Sequence, residues 1–136
     1  MAIIINYLSV LVAAIAAFAL GAVWHGPLFG KLWMKLSGIT MQSMKKMKMT
    51  PTKSMSLGFV SLLVASYVVA YFVELLGYTT FAGGAQFAFW AWLGLVAPVN
   101  FGGYFWEGKS LKLTLFNAAY RLVELIVISG IIAVWA

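Results

Sequence analysis

The chain has 136 residues and a net charge of +6 at pH 7; 64% of its residues are hydrophobic and 9% charged. A soluble domain carries about 25% charged and about 45–50% apolar residues, so this composition excludes a water-soluble core of this size and makes lipid the solvent. No cysteine is present, which excludes disulfides, thiolate metal sites and cysteine nucleophiles.

In chain order, the first apolar segment runs from Ile3 to Trp24. Ala17-Phe18-Ala19 has the small-residue pattern of a leader cleavage site, but no lysine precedes Lys31, so the segment is read as a retained span. Ala13, Ala17 and Gly21 recur at four-residue spacing, which allows close helix contact in lipid, either within one chain or at a dimer seam. Residues 27–36 place Leu28, Phe29, Leu32, Trp33 and Leu36 on one helical face and Lys31 and Lys35 on another. That pattern predicts a short amphipathic helix lying in the membrane interface, started by Pro27 and ended by Gly38. Met41 to Lys53 mixes methionine and lysine and reads as a solvated linker that fixes topology, or as an arm for lipid headgroups or a partner.

Three more apolar segments follow: Met55 to Leu76, Gln86 to Trp106, and Leu111 to Trp135. Each is long enough to cross a hydrocarbon core about 30 Å thick as a helix. The fold expected is all-α, a four-helix integral membrane bundle forming one transmembrane domain over residues 1–136, with sequential spans antiparallel. Trp24, Trp33, Trp106 and Trp135 fall near the expected interfaces, where indoles are favoured.

The polar residues inside the spans are few enough to weigh one by one. Arg121 lies about 15 Å above Leu111 by helical rise, near mid-depth, where a charge costs at least about 2.5–3.5 kcal/mol. Glu124, three residues on and on the same face, is its expected partner. Thr114, Asn117, Arg121 and Glu124 form one helical stripe, flanked by Tyr120. In the third span, Pro98 has no N–H for the carbonyl of Gly94 and crowds it, so the helix is expected to kink or unwind there. The freed carbonyl would face a donor such as Tyr120, Arg121 or water. Gly94 and Arg121 fall at similar depths, as do Asn100 and Asn117, each about 9 Å from the inner end; Ser61 and Ser66 of the second span lie on comparable levels. This pattern predicts one buried polar network. It serves either as a substrate or ion site or as a packing device that fixes helix register. His25, before Gly26-Pro27 at the end of the first span, reads as a cap or interfacial group. With one histidine and no aspartate, neither a metal site nor a hydrolytic set is assembled, and no enzyme activity or cofactor is expected.

Several runs together resemble a known family. They are Asn6-Tyr7 entering an alanine-rich span, Leu20-Gly21-Ala22-Val23-Trp24 with Gly26-Pro27-Leu28-Phe29-Gly30-Lys31 and Trp33-Met34, and Phe105-Trp106-Glu107-Gly108-Lys109 with Leu111-Lys112-Leu113. Asn117-Ala118-Ala119-Tyr120 and Gly130 before Trp135 complete the set. The whole chain resembles the bacterial membrane family called domain of unknown function 1761. The resemblance implies an aromatic residue at the position of His25 and a histidine or another polar residue at that of Arg121. It implies no established activity.

Two functional classes follow. One is a small oligomeric transporter or channel built around the fourth-span stripe; the other is a structural or accessory subunit that binds lipids or a larger membrane complex. Membrane lipids and further copies of the chain are the expected partners, and nucleic acid is not, because the basic charge has a topological explanation. Lys31, Lys35, Lys45, Lys46, Lys48 and Lys53 lie between spans one and two, and Lys109 and Lys112 between three and four. All of them fall inside if the protein sits in the cytoplasmic membrane with both termini outside. Single cysteines at Ser43 and Thr79, labelled in intact cells with an impermeant reagent, test this: Thr79→Cys should react and Ser43→Cys should not. The opposite pattern inverts the topology.

Overall fold

The structure is a computed structural model that describes residues 3–38 and 51–135. Four helices among them are long and apolar enough to cross a membrane, over Tyr7–Leu28, Thr52–Leu76, Phe81–Trp106 and Leu111–Trp135. The protein is therefore a membrane-embedded helical bundle, as its composition requires. The interior of the linker proposed from Met41 onward, including Lys45, Lys46 and Lys48, lies outside the described residues.

Helix α1 spans Tyr7–Val23, four residues later than the apolar run begins. Asn6 sets the start: its Oδ1 accepts from the backbone N–H of Leu8 (3.1 Å) and Ser9 (3.2 Å), meeting donors that hydrocarbon cannot meet. At its other end α1 gives way to a kinked turn, Trp24–Leu28, in which Gly26 leaves helical geometry (φ −114°, ψ −108°). Pro27 lies within that turn and does not begin the amphipathic helix. Helix α2 instead spans Gly30–Ser37, and its first residue is a glycine where a Cβ would come within 2.9 Å of the His25 carbonyl oxygen. Gly38, in the left-handed region at φ 73°, ends α2 by donating to Met34 O (3.0 Å).

Helix α3 spans Pro51–Leu76. Gly77 (φ 77°) and Tyr78 close it, with Tyr78 N donating to Val73 O (3.2 Å) and Gly77 N to Glu74 O (3.2 Å), the paired closure of a Schellman turn. Helix α4 spans Phe81–Ala91, so the third membrane span begins five residues before the expected Gln86. Thr80 Oγ1 accepts from Gly83 N (3.0 Å) and caps it. The adjacent glycines 83 and 84 argue locally against helix, yet Gly84 is buried where α4 meets the last span.

A π-helical turn, Trp92–Val96, leads into helix α5, Ala97–Trp106. Pro98 sits in the first turn of α5, and the widening falls in the turn before it, where the missing N–H would have been needed. The expected local unwinding is therefore present. Gly108 (φ 70°) turns the chain, with Lys109 N donating to Gly103 O (3.2 Å). Ser110 caps helix α6, Leu111–Trp135, through Leu113 N (3.1 Å).

Neighbouring spans are antiparallel. The Phe18 ring, late in α1, meets Phe59, early in α3, edge-on at 5.8 Å, and Phe81 at the start of α4 covers Gly130 late in α6. Lys31, Lys35, Lys53, Lys109 and Lys112 thus share one end of the bundle. Helix α6 is the central element and packs on α1, α3 and α4. The main core lies toward the other end, where Val10, Ala13 and Ala17 of α1 meet Val69, Ala70 and Val73 of α3 and Ile128, Ile132 and Ala133 of α6. The small residues of α1 are thus used within the chain: Ala13 and Ala17 are fully buried, and Gly21 faces Tyr120 of α6.

The closest helix approach is between α4 and α6. A Cβ on Gly84 would collide with the carbonyl oxygen of Ser129, and one on Gly130 with the Phe81 ring. Backbone cannot rotate away as a side chain can, so Gly84→Ala should destabilise the bundle by about 1–3 kcal/mol, the usual cost of overpacking. Gly102→Ala, where a Cβ meets nothing within 4 Å, should be neutral or stabilising. Thermal unfolding of the purified variants checks this; equal midpoints for the two would contradict the packing.

Candidate functional site

The polar residues of the fourth span do not all gather at one place. Tyr120, Arg121 and Glu124 stand together beside a cleft of about 330 Å³ formed by the last turns of α1, the first turns of α3, and α6. One guanidinium nitrogen of Arg121, Nη1, donates to both Glu124 oxygens, Oε1 at 3.0 Å and Oε2 at 3.2 Å. The pair is unequally placed. The Glu124 side chain is 9% exposed and that of Arg121 51%, so the carboxylate is buried and the guanidinium stands at the rim of the cleft.

Tyr120 is the hinge between this pair and α1. It is buried, its hydroxyl lies beside the Glu124 carboxylate, and its ring lies 5.3 Å from the Arg121 guanidinium carbon. A Cβ at Gly21 would come within 2.7 Å of that hydroxyl, so glycine there is what lets α1 approach. His25 joins the same group. Its Nδ1 lies 3.1 Å from the Gly21 carbonyl oxygen; a carbonyl only accepts, so Nδ1 carries the proton. His25 therefore caps the end of α1, as its sequence position suggested. It also lines the cleft, with its ring 4.8 Å from Tyr120 and 5.2 Å from Trp33. Trp24 packs inward among Phe29, Phe116 and Tyr120, with its indole nitrogen buried and without a partner. It does not sit as an interfacial anchor, whereas Trp106 is 89% exposed.

The remaining residues of the expected network are not brought to this site. Thr114 is buried, but its hydroxyl donates to Ser110 O (2.9 Å), completing the start of α6. Asn100 lines a separate cavity of about 410 Å³ near Trp106, Glu107 and Lys109, and its Nδ2 is buried without a partner. No hydrogen bond joins Asn100 to Asn117, which is half-buried. Gly94 and Pro98 are exposed on the outer surface, and among the described residues no side chain donates to the Gly94 carbonyl. Ser61 bonds only its own helix, at Leu57 O (3.0 Å), and Ser66 is buried without a partner. Matching depth thus did not become contact, because residues at one level can point to different sides of their helices. What spans the gap between the third and fourth membrane helices is instead Trp92, whose Nε1 donates to Ala118 O (2.8 Å). The one sequence signal for it was a tryptophan six residues before a mid-span proline, at a depth where an indole N–H needs a partner. The other cleft residues missed from sequence, Phe18, Ala22, Met55, Gly58 and Leu62, are apolar and carry no signal among so many like them.

No curated protein and no solved structure matches this chain. The family described as protein of unknown function (DUF1761) matches residues 8–133, nearly the entire chain and every membrane span. The chain belongs to the DUF1761 family.

Proposed function

We propose that this chain is the protomer of a small oligomeric transporter or channel of the cytoplasmic membrane, without enzymatic activity, whose solute site is the cleft at Arg121. The observation that carries this reading is the half-exposed Arg121 side chain beside a buried Glu124. A guanidinium at this depth is too costly to leave facing lipid chains, so the cleft is filled with water or solute or is covered by another protein surface. Four helices enclose little interior volume, which favours a path completed between copies of the chain. With the lysines inside, both termini face outward and the cleft lies in the cytoplasmic half.

One observation favours the accessory-subunit reading: both Glu124 oxygens are already taken by Arg121. A neutralised pair can serve only to fix α1 against α6, in a subunit that joins lipids or a larger membrane complex.

Because the chain has no cysteine, water access can be read directly. Ala22→Cys and Gly58→Cys, lining the cleft, should react with a charged thiol reagent in liposomes much faster than Val60→Cys and Leu115→Cys, which are exposed on other faces. Flux of anions, cations and protons should be measurable with the wild type and lost in the folded fraction of Arg121→Leu, at equal amounts of reconstituted protein. Equal labelling rates together with no flux from well-folded protein would give the function to the accessory reading.

The pair itself is tested by folded yield. Arg121→Leu should lower it more than Arg121→Leu combined with Glu124→Leu, since a stranded buried charge costs about 3–5 kcal/mol while removal of both partners is often near neutral. Equal damage would argue against pairing within α6.

A further inference from the structure

The Arg121–Glu124 pair leaves one edge of the guanidinium open. Guanidinium carries five N–H donors in a planar fork. Both hydrogen bonds to Glu124 leave from Nη1, and no other hydrogen bond of Arg121 occurs among the described residues. The Nη2 and Nε donors are therefore uncommitted, on a side chain that is half exposed at the cleft. An edge of parallel N–H groups is complementary to two oxygens in a plane, the geometry of a carboxylate.

The rest of the cleft restricts what can carry that carboxylate. Its other walls include Phe18, Met55, Leu62 and the Tyr120 ring, which suit an apolar body. Glu124 is the acidic group in the lining, and it is buried with both oxygens on Arg121, so a ligand ammonium has no counterpart and a zwitterion is disfavoured. The volume, about 330 Å³, is at the low end of ligand cavities, roughly 300–1,000 Å³, which selects a small body or one end of a longer chain.

We propose that the free edge of Arg121 and the apolar walls between α1 and α3 bind an amphipathic carboxylate, a small aromatic or branched acid from water or the head of a fatty acid from the bilayer. The proposal rests on the transport reading for its consequence, since it names the solute class of that site, but binding is measured without flux.

Equilibrium binding of radiolabelled benzoate to the purified full chain in nanodiscs tests it, with benzyl alcohol, benzylamine, acetate and laurate as competitors. Benzoate should bind saturably. Benzyl alcohol and benzylamine should not displace it, because they lack the carboxylate, and acetate should compete at least about tenfold more weakly, because it lacks the body. Displacement by laurate at lower concentration than by unlabelled benzoate assigns the ligand to the bilayer; the reverse order assigns it to water. Arg121→Lys keeps the charge and removes the fork, and should weaken binding about tenfold or more, the scale of one charge-assisted hydrogen bond. Gly58→Ala and Gly58→Leu offer a second route: a Cβ there meets nothing within 4 Å and the residue lines the cleft, so added side-chain volume should progressively weaken binding, with thermal unfolding measured alongside to confirm that each variant is folded. No saturable binding of benzoate or laurate to folded wild type, or binding unchanged in all of these variants, would overturn the proposal. Binding without flux would leave the site standing and remove the transport reading alone.

Discussion

A charge is costly at hydrocarbon depth, and the Arg121–Glu124 pair answers much of that constraint within three residues of one helix. The consequences spread outward. Glu124 is turned inward, and α6 becomes the helix on which the other spans pack. Tyr120 is held between the pair and α1, and α1 can come that close because residue 21 has no side chain. His25 then closes the end of α1 and completes the wall of the cleft. The cleft exists because small residues, Gly21, Ala22 and Gly58, line it where larger ones would fill it.

The same shortage of partners governs the two breaks in helical regularity. At Gly26–Pro27 and before Pro98 the backbone ladder is interrupted by a residue that cannot donate; at the first the chain kinks into a separate helix, and at the second the helix widens into a π-turn and continues. Side chains bond backbone carbonyls beside both breaks: His25 at Gly21 O, and Trp92 across to α6 at Ala118 O. Neither bond reaches the carbonyl that Pro98 frees, since among the described residues no side chain donates to Gly94 O; they fasten the chain beside the breaks. The Trp92 bond ties the irregular span to the central helix one turn before Arg121, so the second break also helps to hold the site.

Opposite ends of the bundle do different work. The end away from the lysines is tightly packed by alanine, valine and isoleucine, and glycines 84 and 130 bring α4 directly against α6. The lysine-bearing end carries the cleft, the short amphipathic α2 and the aromatic group around Trp24 and His25. The packed half fixes α6, and the other half presents the half-exposed guanidinium of Arg121 at the cleft.

By itself the amino-acid sequence determined the class, the number of spans, their antiparallel order and the family, because each depends on local hydropathy, span length and short motifs. It also determined the Arg121–Glu124 pairing, since three residues apart on one helix is contact by construction, and the break at Pro98, since a missing N–H needs no partner to be felt. Only the tertiary structure decided which polar groups share a site. Asn100, Asn117, Gly94 and Thr114 lie at suitable depths, but depth is one coordinate, and the rotation of each helix about its axis is set by packing: glycine against backbone at Gly84, alanine and valine in the core. That rotation turned Gly94 outward, gave Asn100 a cavity of its own, and brought His25, just beyond α1, and the apolar wall of α3 to Arg121. Helix rotation arises from many weak contacts summed over whole faces, and no single residue records it.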